Sequence, residues 1–102
     1  MSKKILFSYE AKEDLIKIKN YIESDLENPL AADNVIRGIL DCAKQLEIFP
    51  ESGSKLNEKI KAETDYRYLI SGNYMIFYTI DSDLIRISRI IYGKRDYPQL
   101  LL

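Results

Sequence analysis

The last third of the chain, from Tyr66 to Leu102, constrains the fold most. It holds three runs dense in β-branched and aromatic residues, separated by Ser71-Gly72-Asn73 and Asp81-Ser82-Asp83. Short polar breaks between such runs are the mark of strands joined by tight turns. Connections this short leave no room for a crossover, so the three strands must run antiparallel as a meander. The middle run, Tyr74 to Ile80, is apolar almost throughout, which suits an interior strand covered on both faces. The rest of the chain must supply that cover.

Two amphipathic stretches precede the meander. Lys4 to Phe7 is a short apolar run that reads as a first strand, and Ser8 caps a helix that begins at Tyr9 with Glu10 in its first turn. Apolar residues then recur at Ala11, Leu15, Ile18, Ile22 and Leu26, the spacing of one helical stripe, while Lys12, Lys17, Lys19 and Glu23 face water. Asn28-Pro29 ends this helix and starts a second, because Asn is a favoured cap and Pro is tolerated at the first helical position. Its stripe runs Ala32, Val35, Ile36, Ile39, Leu40, Ala43, Leu46, and Phe49-Pro50 stops it. Glu51 to Thr64 is polar and aperiodic and reads as a loop. The expected architecture is α+β: an N-terminal strand and an antiparallel helical hairpin packed on a small antiparallel sheet, in the order β-α-α-β-β-β, as one domain over residues 1–102.

Composition narrows the function classes. With 46% hydrophobic and 30% charged residues the chain matches an ordinary soluble domain. No apolar run approaches the ~18 residues a membrane span needs, and Met1-Ser2-Lys3-Lys4 leads directly into a strand, so a cytoplasmic location is expected. One cysteine, Cys42, and no histidine leave a metal site without its usual ligands, and neither metal nor cofactor is expected. A net charge of −1 excludes nucleic-acid coating by a bulk positive field. The charge is nonetheless uneven. Residues 1–50 hold seven Lys/Arg against nine Asp/Glu, whereas residues 66–102 hold five, namely Arg67, Arg86, Arg89, Lys94 and Arg95, against three.

Those cations, with Tyr92 and Tyr97 nearby, have two readings. They cover sheet edges and pair with Asp65, Asp83 or Asp96, or they form an anion site in which guanidinium forks a phosphate and tyrosine rings stack on bases. Alternation places Arg67 and Leu69 on one face of their strand and Tyr66, Tyr68 and Ile70 on the other. In the last strand both faces mix apolar and polar residues, so parity does not place Arg89.

Taken in order, an opening strand, ENPLAADNVI, LEIFPESG, YRYLISGNYMIFYTID and IRISRIIYGKRDYPQLL resemble the RelE/ParE superfamily of toxins from bacterial type II toxin–antitoxin modules. The resemblance implies a helical hairpin on a small antiparallel sheet and a toxin neutralised by a cognate antitoxin, with growth inhibition and plasmid stabilisation as its roles. It divides over mechanism. In the RelE-like branch, a metal-independent endoribonuclease that cuts mRNA on the ribosome, Arg67 and Arg95 match basic catalytic positions. Leu69, Met75 and Leu101 stand where that branch has lysine, arginine and the terminal tyrosine, and Tyr97 lies several residues early as a substitute. The ParE-like branch, which poisons DNA gyrase by binding, is similar in its FY strand and its ending. The resemblance therefore implies ParE-like inhibition first and the RelE-like nuclease as the alternative, with catalytic residues Arg67, Arg95 and Tyr97 only in the second case. Arg89, Tyr92, Lys94, Leu100 and Leu101 are the expected binding residues, and a toxin–antitoxin hetero-oligomer the expected assembly.

Overall fold

The computed structural model describes residues 3–60, 63–93 and 101. Strand β1 (Lys4–Phe7) leads through the Ser8 cap into helix α1 (Tyr9–Asn20), which continues as one π-helical turn, Tyr21–Asp25. Helix α2 (Pro29–Lys44) ends in a 3-10 turn, Gln45–Glu47. Then come β2 (Ser54–Lys55), the short α3 (Leu56–Ile60), β3 (Arg67–Ser71), β4 (Tyr74–Asp81) and β5 (Leu84–Tyr92). No described helix is long and apolar enough to cross a membrane.

Both helix starts follow from their caps. The Ser8 side chain accepts from the Ala11 N–H at 3.1 Å and Asn28 Oδ1 accepts from the Ala31 N–H at 3.1 Å, each satisfying one orphan donor of the first turn. The meander is antiparallel as expected, and its turns depend on left-handed backbone, with φ +59° at Gly72 and +36° at Ser82.

Three features depart from the sequence reading. The sheet is mixed, in the order β1-β5-β4-β3-β2, because β1 pairs parallel with β5 at one edge. The helical hairpin returns the chain to the same end of the sheet, and the three-strand meander then leaves β5 running in the direction of β1. The stretch 51–64, expected as a loop, contains β2 and α3. Its fully buried Leu56 meets Met75, Phe77 and Ile91 on the sheet face away from the hairpin. One leucine at that spacing carries no periodicity, so the pattern was too short to read. Leu26, expected on the inner stripe, is exposed, because the π turn adds a residue per turn and rotates it out of phase.

Interior strand β4 is covered on both faces. Ile76 and Tyr78 face the hairpin beside Ile39, Leu46 and Ile87, while Met75 and Phe77 face Leu56. Fully burying a side chain such as Phe77 or Leu56 contributes roughly 1.5–3 kcal/mol. In β5 the register against β4 skips Ser88: Tyr78 lies opposite Ile87 and Phe77 opposite Arg89. This bulge reverses the parity of the strand, so Ile85, Ile87 and Ile90 all join the hairpin-side core while Ile91 joins the other.

Candidate functional site

Where the hairpin tip meets the ends of β4 and β5 lies a groove of about 750 Å³. Lys17, Tyr21 and Leu26 line one wall, Val35 of α2 the back, and Tyr74, Arg89 and Tyr92 the sheet side. Tyr74 and Tyr92 are directly opposite across the β4–β5 ladder, with ring centroids 5.8 Å apart and planes tilted by 60°. Burial pushes the Tyr74 phenol above its ordinary range, and the phenols of Tyr92 and Tyr21 push it further in the same direction. The π turn presents Tyr21 and Leu26 at the rim while Ile22 stays buried. The result is an aromatic, largely apolar trough with one cation, Lys17, that has no carboxylate partner among the described residues.

The floor is held by one carboxylate. Asp14 accepts from Arg89 Nε at 2.8 Å and Nη2 at 3.0 Å, and from the Ile90 N–H at 2.9 Å. The bulge at Ser88 turns that N–H toward the space beyond the end of β1, where α1 supplies the acceptor. Bidentate pairing raises the Arg89 pKa further and leaves its fork committed to Asp14. Helical spacing already places Asp14 between Ala11 and Ile18, on the inner stripe, and a carboxylate there demands a cation. That signal was present in the sequence and was missed. Lys17 and Tyr21 carried no comparable signal, because a rim lysine and a helix tyrosine look like any solvated face.

Arg67 is engaged elsewhere. Its Nη1 donates to the carbonyls of Gly53 at 2.9 Å and Glu51 at 3.3 Å, beside a separate depression of about 590 Å³ whose lining mixes Lys55 and Arg67 with Glu51, Asp65 and Asp81. Arg67 and Arg89 therefore serve different partners on strands separated by β4. Tyr92 lies in the groove. Leu101 is half-buried against the Leu56 and Phe77 cluster. Lys94, Arg95, Tyr97 and Leu100 lie outside the described residues. Leu69 and Met75, at positions where cations would serve a nuclease, are packed into the two cores.

The rings and aliphatic side chains of the groove suit docking of an apolar or aromatic segment, and the one acid in its described lining, Asp14, is committed to Arg89.

A family model described as the ParE toxin of the type II toxin–antitoxin system parDE matches residues 5–97. Among solved structures, the chromosomal ParDE TA system from P. aeruginosa is similar with a TM-score of 0.76 at 18% identity, covering 91% of this chain and 98% of that one, a likeness of fold. No curated protein matches the chain.

Proposed function

The chain belongs to the ParE toxin family of type II toxin–antitoxin systems, and from that membership we propose that it acts by binding rather than catalysis, inhibiting DNA gyrase in the cytoplasm. A cognate antitoxin follows from the family. We further propose that it silences the toxin by laying an amphipathic segment in the Tyr21–Tyr74–Tyr92 groove, forming a toxin–antitoxin hetero-oligomer. Growth inhibition, and plasmid stabilisation where the module is carried on a plasmid, are consequences of the same reading.

The observation that carries it is the use made of the sheet's cations. Arg67 spends its Nη1 on two loop carbonyls and Arg89 spends its Nε–Nη2 edge on Asp14, on strands separated by β4, so the two do not converge on one phosphate. A ribonuclease that works without a metal needs a base, an acid and several cations gathered on one phosphate. Leu69 and Met75 contribute core packing instead.

The test pairs two assays on the purified toxin. Inhibition of gyrase supercoiling with no RNA product, reversed by the antitoxin, is the expected result. Cleavage of ribosome-bound mRNA at discrete positions, lost in Arg95→Ala, overturns the proposal in favour of the nuclease alternative.

A further inference from the structure

The four-residue strand β1 closes one side of the sheet and leaves its outer edge open. Lys4 donates its N–H to Asp83 and Ser8 to Ile87, so the even-numbered N–H groups of β1 point to β5, and those of Ile5 and Phe7, with their carbonyls, point away from the sheet. At the start of the strand the Lys3 N–H is taken by the Glu47 carbonyl, and no such partner meets Ile5 or Phe7 among the described residues. Four of the large apolar residues that remain in water lie on this strand, just past it, or just after its Glu47 contact. Leu6 is 43% exposed, Tyr9 just past the strand is 73% exposed, and Ile48 and Phe49, which follow Glu47, are 69% and 63% exposed.

We propose that this edge pairs with itself: two copies of the chain join β1 to β1, antiparallel, about a twofold axis at Leu6. In that register Ile5 of each copy faces Phe7 of the other, and the two pairs exchange about four N–H to carbonyl bonds. Leu6 meets Leu6 at the axis. Lys4 falls opposite Ser8, so the lysines at this edge are not set against each other. Antiparallel order also carries Tyr9 of each copy to the start of the other's β1, where Ile48 and Phe49 are, so apolar groups exposed at opposite ends of one strand become neighbours. The opposite sheet edge is made of the two residues of β2 and the end of β3 beyond them, and joining β1 to it would be head-to-tail and would not close. A twofold β1 pairing closes the assembly and hides the edge that is otherwise prone to aggregation. Its partner is a second copy of this chain and does not depend on what the toxin poisons.

Sedimentation of the toxin freed of antitoxin, over a concentration series, is the test, with amide hydrogen exchange on the same samples. The expected result is a dimer in which the Ile5 and Phe7 amides are protected. Leu6→Glu and Phe49→Glu, both at exposed positions and checked for fold by circular dichroism, should each weaken it by at least about tenfold and release those two amides. A monomer at every concentration overturns the proposal. So does a dimer indifferent to both substitutions, or one in which the Ile5 and Phe7 amides exchange freely.

Discussion

Arg67 and Tyr78 lie opposite each other on β3 and β4 and hold the same loop. The fully buried Tyr78 hydroxyl donates to the Pro50 carbonyl at 2.9 Å and accepts from the Gly53 N–H at 2.9 Å, while Arg67 donates to the carbonyls of Glu51 and Gly53. Between them they satisfy four backbone groups of the segment that carries the chain from the hairpin to the far edge of the sheet. An arginine at a position suggestive of catalysis thus has a structural task, and its strand partner shares it.

Tyr78→Phe should lower unfolding free energy by about 1–3 kcal/mol, because it strands the buried Gly53 N–H and the half-buried Pro50 carbonyl while changing no apolar contact. The substitution also has a pH signature. Burial raises the Tyr78 pKa, and the Gly53 hydrogen bond and nearby Arg67 only partly offset it, so the fold favours the neutral phenol. That contribution is intact below the unfolded value of about 10 and is lost as pH rises through the higher folded value. Denaturant titrations at neutral pH and above pH ~10 should show wild type losing stability more steeply than Tyr78→Phe. Parallel slopes would refute the assignment.

Gly53→Ala tests the same contact from the other side. A Cβ there would stand 2.5 Å from the Tyr78 hydroxyl oxygen and 2.8 Å from the Tyr68 carbonyl oxygen. Since the second obstacle is backbone, the loop itself must shift, at about 1–3 kcal/mol. In the Tyr78→Phe background the two losses should sum to more than the double variant shows, because both break one contact. Strict additivity in chemical denaturation would contradict this.

Asp14 and Arg89 tie α1 to β5. Their side chains are 11% and 23% exposed, so truncating one leaves the other charged and largely out of water. Asp14→Ala should cost about 2–3 kcal/mol, and Arg89→Ala in the Asp14→Ala background should cost much less than it does alone. Equal cost in both backgrounds would mean that the pair is not coupled.

Much of this was legible in the sequence, and the reason lies in the range of the interactions concerned. Ser8, Asn28-Pro29, the two helical stripes and Gly72 act within a few residues, so local physics writes them plainly. The bulge at Ser88 did not show, because it is a relation between β5 and β4; without it Arg89 falls on an ambiguous face. The parallel edge was hidden for the same reason: Lys4 to Phe7 says that it is a strand and not which strand it joins. In the groove, Tyr92 was singled out, yet its companions Tyr74 and Tyr21 come from a strand and a π turn whose proximity only the packed hairpin creates.

Groove docking gives the last prediction. Tyr21, Tyr74 and Tyr92 present rigid amphipathic rings along a largely apolar trough, the kind of surface on which a few anchors carry most of an interface's free energy. Tyr92→Ala should weaken binding of the cognate antitoxin by about 2 kcal/mol or more, read by calorimetry on samples whose own stability is measured alongside, since Tyr92 also packs on the Tyr74 ring. Tyr74 is the poorer choice, since it also packs on the hairpin core and its loss would mix folding with binding. Lys17 separates electrostatics from packing. As a groove cation with no carboxylate partner among the described residues, it should attract a carboxylate on the incoming segment, so Lys17→Gln should slow association and flatten its dependence on salt while leaving dissociation nearly unchanged. An antitoxin that binds Tyr92→Ala and Lys17→Gln as it binds wild type docks elsewhere, and the groove must then be assigned another role.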